Sequence, residues 1–500
     1  MMITSCSGVP RQAQHQAPPD GEGRPAGVAQ AGTVQGQSDP ASSASQSDWV
    51  RFDYDPAHSG SVPAAQALSA ATVGGLHLLW RAHLEDTADS APVYLHALLF
   101  PDHSRHDVLY VTAKDGTLVA LDAGTGHLLW SVHTVGPEWT TSSPAADPSR
   151  RFVYFYGLDG FVHKVGVIDG KEIKTGGWPV RITNIPGREK GSAPLNIVNG
   201  RLYAALSTYA PEVPPNQGHL VVVDLANASM NVFNTVCSDI KHLLAPNECS
   251  SSGAGIWARA SAVVDPVTGN VLVSTANGRY DGRVNWGDSV LELSADGTRL
   301  LDSYTPVNNA ELDAANWDLG STAPALLPQI RASNTPYLLV QGGKDGVLRL
   351  LNRQNLSGKA GPGHVGGELQ VIARPGCVMF TQPAVWQDSN QGATWIFTAD
   401  TCGMTGYQVV TDQHRDTQLR QAWHLPIVTT SPLVAGGVLF AAAQNKLLAL
   451  DPRSGQQLWS SAQPGAVSSP LGAIHWESPI IVGGKVYVSD ESGALVAYGL

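Results

Sequence analysis

No apolar run approaches the roughly 18 residues needed to cross a bilayer, so nothing in this 500-residue chain reads as a membrane span. No long stretch keeps the 3.6-residue apolar period of an amphipathic helix, so helix is expected to be minor. Basic residues are the scarcer sign, 31 against 42 acidic, and the net charge of −11 argues against nucleic acid as the main partner. There is no cysteine/histidine cluster of zinc type, no glycine-rich phosphate loop and no nucleophile elbow. No Cys-x-x-Cys-His is present, so no haem is attached covalently. Residues 1–47 lack an apolar h-region, and no signal peptide is visible. Their Gln, Ser, Ala, Gly and Pro content predicts a disordered tail. Either the protein is cytosolic or its natural leader is missing or mis-started.

What the chain does have is glycine (52) and proline (33), which suit many short strands joined by tight turns, and 43% apolar content, enough for a large core. The segment Asp107–Thr134 is the clearest unit. Val108–Thr112 is β-branched and apolar and reads as a strand. Lys114-Asp115-Gly116 supplies the positive φ of a tight hairpin, and Leu118–Leu121 is a second strand. After a turn at 122–126, His127–Trp130 is a third. The pattern returns at Val438–Trp459, with the same spacing from Asp451 to Trp459 as from Asp122 to Trp130. A repeat of this kind fixes the architecture.

The second strand of the unit recurs near Leu109, Val153, Leu202, Val271, Tyr337, Trp395, Leu439 and Val486. Most copies are preceded by a short strand opened by a small or polar residue and a proline, as at Ala91-Pro92, Ser143-Pro144 and Ser478-Pro479; the copy near Val271 has Ser261-Ala262 instead. Proline is tolerated there if that strand is the innermost edge. The chain stops after Val486–Tyr498, short of an outer strand, whereas Leu76–Trp80 matches the outer strand of the repeat and has no partners before it. The economical reading is an all-β, eight-bladed β-propeller over 48–500. Its blades are four-stranded and antiparallel, and the N-terminal strand 76–82 completes the C-terminal blade, which removes an exposed edge. Trp80, Trp130 and Trp459 share one outer-strand position and are expected to pack between blades. Spacing widens on either side of Val271, and long loops on a rigid ring are where function tends to sit.

Cys237 and Cys249 flank one loop, and Cys377 and Cys402 flank one predicted strand pair. Two disulfides would imply an oxidising compartment; four unpaired thiols are the alternative. Cys6 falls in the tail and reads as incidental.

The repeat x-Leu-x-Ala-Leu-Asp-x-x-x-Gly-x-x-x-Trp resembles that of the quinoprotein propellers. These include pyrroloquinoline-quinone (PQQ) alcohol and polyvinyl-alcohol dehydrogenases, and non-catalytic relatives such as an outer-membrane assembly lipoprotein. The resemblance covers 48–500 and speaks more strongly for fold than for function. Segment 253–280 is similar to the one in which a tryptophan stacks beneath the quinone and an asparagine binds Ca²⁺; the matching residues are Trp257 and Asn277. Segment 305–324 resembles the one carrying a catalytic-base aspartate in a Trp-Asp pair, here Trp317-Asp318. Segment 342–353 resembles the one whose lysine contacts the quinone, here Lys344; Glu212 is a loose match to a Ca²⁺-ligating glutamate. The metal set the resemblance implies is therefore Asn277, Asp318 and Glu212, with Trp257 and Lys344 on the cofactor and Asp318 as base. Two departures stand out. Ala276 takes the place of a usual glycine, and no two cysteines are adjacent, so the family's cofactor-covering disulfide is missing.

Topology adds an independent expectation. In a four-stranded meander, loops from an outer strand to the next inner strand emerge on the same face as turns from second to third strand. Trp257 and Asp318 belong to the first kind, Asn277 and Lys344 to the second, so all four should share one face over two adjacent blades. Lys344 also sits in Lys-Asp-Gly, like Lys114, and Asn277 in Asn-Gly, so turn chemistry alone would account for both. Two functions follow. One is a PQQ- and Ca²⁺-dependent dehydrogenase of a small or polymeric alcohol or polyol, periplasmic or secreted, passing electrons to a separate acceptor. The other is a non-catalytic propeller that binds a protein or polymer.

Overall fold

The computed structural model describes residues 48–62, 67–209, 212–462 and 471–500. The tail 1–47, with Cys6, lies outside them. Eight sheets follow one another along the chain. Blade 1 is a plain meander of Val93–Leu99, Arg105–Thr112, Thr117–Asp122 and Leu128–His133. Blades 2 to 7 repeat it over 145–181, 189–234, 263–304, 325–373, 384–425 and 433–460. Blade 8 takes Ile480–Val482, Lys485–Asp490 and Ala494–Gly499 from the C-terminus, and its outer strand, His77–His83, from the N-terminal part of the chain. The register runs from His77 opposite Gly499 to His83 opposite Ala494, so the ring closes as the repeat requires. Most prolyl residues of the repeat, such as Pro92 and Pro383, immediately precede an inner strand, and Pro194 stands two residues before one. Near Tyr337 the second strand begins one residue later, at Leu338. The α-helix Asn309–Ala315 lies in the loop between blades 4 and 5.

Apolar clusters fill the junctions between neighbouring blades. One joins Val111 of blade 1, Phe440 of blade 7 and Val488 of blade 8, and another joins Val221 of blade 3 to Tyr154 of blade 2. The outer-strand tryptophans join the blades too. Trp80 donates its indole N–H to Ala123 O of the next blade at 3.2 Å, Trp130 to Val167 O at 3.3 Å, and Trp459 to Leu76 O at 3.0 Å. The repeat's glycine is needed for this contact. A Cβ on Gly126 would lie 2.7 Å from the Trp80 ring, and Gly126 has φ +74°. Trp423 of blade 6 plays the same part over Gly455, donating to Pro452 O at 2.9 Å.

The innermost edges are not left open. Segment 48–62 crosses the axial channel and satisfies them. Trp49 exchanges backbone hydrogen bonds with Tyr94 of blade 1, and Val50, Pro56, Ser59 and Gly60 carbonyls accept from Ala146, Val264, Val385 and Val434 of blades 2, 4, 6 and 7. Ser61–Val62 adds a parallel strand beside Val434 and Ala435. Phe52, fully buried, packs with Ala91, Ala260 and Ala323 from opposite sides of the ring. The segment therefore plugs the channel, and any pocket on the other side is blind. Both expected disulfides are formed, Cys237–Cys249 and Cys377–Cys402.

Candidate functional site

The loops into blades 4 and 5 and the second-to-third turns of the same blades do share one face. They bring Trp257, Asn277, Asp318 and Lys344 together. Asp318 is buried; its Oδ2 lies 2.6 Å from Lys344 Nζ and its Oδ1 accepts the Asn277 N–H at 3.1 Å. The Lys344 ammonium also stands 5.1 Å from the Trp257 ring centroid. The Asp318 loop is held rigidly. Gln341, fully buried, donates to Leu319 O and Thr322 O at 3.0 and 2.9 Å. Asp288 Oδ1 accepts the Leu319 N–H at 2.9 Å. Burial pushes the Asp288 carboxyl up to about 8, with the nearby Asp318 adding to the shift and the Leu319 N–H opposing it.

Trp257, Asp318 and Lys344 line a blind pocket of about 200 Å³, together with Trp139, Lys190, Glu212, Arg259 and Trp476; Asn277 is joined to it through the backbone N–H that Asp318 accepts. Aromatic rings frame it. Trp257 and Trp476 are 6.4 Å apart at 80°, and Phe380 lies 5.7 Å from Trp476. Arg259 forms the floor. It is buried, donates to the carbonyls of Thr141, Asp89 and Trp476, and lies 5.5 Å from the Phe52 ring of the axial segment. Lys190 is a buried wall residue whose Nζ stands 3.0 Å from the Trp139 centroid, with no carboxylate within ion-pair reach among the described residues. Burial lowers its amine to about 7; the distant Asp89 and Glu138 only partly oppose this. The Trp139 ring face favours the ammonium, whereas desolvation disfavours it.

Glu212 is exposed at the open side of the pocket, its carboxyl raised by partial burial and by Asp318 and lowered by Lys344. Asn277 Oδ1 is buried and has no hydrogen-bond partner among the described residues. Oxygen donors of this kind, an amide and two carboxylates, fit a hard cation such as Ca²⁺. The Trp257 face beside them fits a planar ligand. Ala276 is buried without a left-handed backbone, so glycine is not needed at that position. Sequence reading had no signal for Lys190, Arg259, Trp139 or Trp476, because each comes singly from a different blade.

A family model described as outer membrane protein assembly factor BamB matches residues 58–248 and 405–500. A polyvinylalcohol dehydrogenase of a Pseudomonas species is 22% identical over 285 residues, covering 50% of this chain and 42% of that protein, so less than half of that relative is matched. Among solved structures, a quinohemoprotein alcohol dehydrogenase from Pseudomonas putida HK5 superposes with a TM-score of 0.64 at 16% identity, over 91% of this chain and 80% of that one. A europium-containing methanol dehydrogenase gives 0.65 at 13% identity, over 91% and 98%. At these identities the superpositions establish a shared fold.

Proposed function

The chain belongs to the family described as outer membrane protein assembly factor BamB, and on that scaffold we propose that the pocket around Asp318 is a PQQ- and Ca²⁺-dependent dehydrogenase site for alcohols or polyols. The observation that carries this reading is one carboxylate, Asp318, held between the Asn277 N–H and the Lys344 ammonium beside the Trp257 ring. Asn277 Oδ1, Asp318 and Glu212 would hold the metal, and Trp257 would form one face of the cofactor slot. When bound, the quinone supplies a hydride acceptor that its metal polarises.

The chain's own residues account for the rest. Asp318 is anchored from behind by Gln341 and Asp288 through the neighbouring backbone, so its free lone pairs are aimed before substrate arrives. It takes the hydroxyl proton of the alcohol at a carboxylate oxygen. Lys344 offsets negative charge that grows on the face of Trp257. The plug at Phe52 and Arg259 closes the far side to water. The two disulfides support a periplasmic or secreted setting. Electrons would leave to a separate acceptor.

A second reading, a non-catalytic propeller that binds a protein or polymer, is favoured by exposed apolar side chains in the loop between blades 4 and 5, where Val307 and Trp317 are 72% and 50% exposed. Reconstitution separates the two. Purified protein is mixed with PQQ and Ca²⁺ and followed by absorbance and by dye reduction with a panel of alcohols that includes polyvinyl alcohol. Saturable binding with alcohol-dependent dye reduction is expected. Absence of both removes the enzyme.

A further inference from the structure

The Lys344–Asp318 pair has a counterpart on the other side of the axis. Blades 8 and 1 stand opposite blades 4 and 5 in the ring of eight. In the loop entering blade 1, Asp89 lies two residues beyond Thr87, whose carbonyl accepts the Lys114 N–H as the Asp318 carbonyl accepts the Lys344 N–H. Lys114, in the second-to-third turn of blade 1, stands 3.1 Å from Asp89 Oδ2, as Lys344 stands beside Asp318. Trp476, in the loop entering blade 8, faces Trp257, and Glu491 occupies the second-to-third turn of blade 8 where blade 4 has Asn277. Opposite blades thus carry two carboxylate–lysine pairs.

They differ in their donors. Around Asp318 the third group is a neutral amide. Around Asp89 it is a carboxylate, Glu491, and an imidazole is added: His475 Nδ1 lies 3.5 Å from Asp89 Oδ2 and 3.8 Å from Glu491 Oε1. One ligand atom from each of Asp89, His475 and Glu491 falls within 4.8 Å of the others. Glu477 comes from the same loop as His475 and is completely buried. Its Oε2 accepts the His475 N–H at 2.6 Å, while its Oε1 has no hydrogen-bond partner among the described residues; neither has Asp89 Oδ1. One ammonium, Lys114, serves Asp89 Oδ2 and both oxygens of Glu491 and leaves these buried oxygens unmet. Buried carboxylate oxygens left unmet carry a desolvation penalty that a cation relieves.

We infer that Asp89, Glu491 and His475, backed by Glu477, form a second cation site, distinct from the one around Asp318. Two carboxylates with an imidazole suit a borderline divalent ion, Mn²⁺ or Zn²⁺, better than Ca²⁺, which prefers oxygen alone. Lys114 Nζ contacts the same Asp89 and Glu491 oxygens. Its four-carbon stem lets the ammonium swing out toward solvent when the ion enters. The site does not depend on the dehydrogenase reading, since it uses none of that reading's residues.

Mn²⁺ binding to the metal-stripped full chain, followed by loss of the free-ion EPR signal, tests this. Wild type should take up Mn²⁺ that Zn²⁺ displaces, and Asp318→Asn should retain it. His475→Ala and Glu491→Gln, both at partly exposed side chains, should each lose it with thermal unfolding unchanged. Lys114→Met should bind about tenfold more tightly, because the competing ammonium is gone. The inference is overturned if Mn²⁺ uptake in wild type and Lys114→Met is absent, disappears with Asp318→Asn, or survives both His475→Ala and Glu491→Gln. In those cases Lys114 is simply the permanent counter-ion.

Discussion

Lys344 Nζ lies 2.6 Å from Asp318 Oδ2, and the two residues come from different hairpins of blade 5 and its entry loop. Removing either charge leaves the other in a half-closed pocket. Asp318→Asn keeps the size of the side chain and its acceptor oxygen for the Asn277 N–H, but loses the base. Dye reduction should fall about 10²–10⁴-fold, while PQQ absorbance changes persist. Equal loss of binding and turnover would instead make Asp318 a structural anchor.

Trp257→Ala removes one face of the proposed cofactor slot. Aromatic stacking is worth about 0.5–1.5 kcal/mol beyond area burial, so PQQ affinity should drop by about tenfold. Fluorescence titration reads this directly, and unchanged affinity would place the ligand elsewhere.

Lys190 gives a pH signature. Burial lowers its amine to about 7 in the folded protein, whereas the unfolded chain keeps it protonated to about 10.4. Below pH 7 both states hold the proton and the burial penalty is complete. Between the two values the unfolded state binds the extra proton, so this residue's contribution to stability improves as pH rises. Lys190→Met should therefore raise Tm most at pH 6–7, and the gain over wild type should shrink toward pH 10. A pH-independent difference would mean that the ring of Trp139 keeps the amine charged.

Phe52 is fully buried at the axis between opposing blades. Phe52→Ala should cost about 3–5 kcal/mol, read from urea unfolding, far more than an ordinary linker residue. A loss below about 1 kcal/mol would show that the axial plug is dispensable.

Much of the ring was legible because strand spacing, the Asp-to-Trp interval and the prolines at inner strands each repeat. The unpaired strand at Leu78 and the short last blade identified the closure before any coordinates. The two disulfides followed from cysteines that flank a loop and a hairpin. The axial segment was not legible, because it is held by backbone groups of Val50, Pro56, Ser59 and Gly60 against strand edges, and backbone bonding leaves no side-chain period. Trp423 was missed for a related reason: its turn does not keep the Asp-to-Trp interval, although its indole packs on Gly455 as the others do. Of the candidate site, Trp257, Asn277, Asp318 and Lys344 were singled out by family pattern and topology. Lys190 and Arg259 were not, since a lone cation in a polar loop carries no sign that it faces inward.

The way the ring shuts also sets a schedule for the ribosome. His77–His83 is made about 410 residues ahead of its neighbour Ala494–Gly499. At about 5–20 residues per second the first strand waits on the order of 20–80 s for its mate. Throughout that interval Leu78 and Leu79 sit on an unzipped ribbon, open to chaperones or to a strand from another nascent chain.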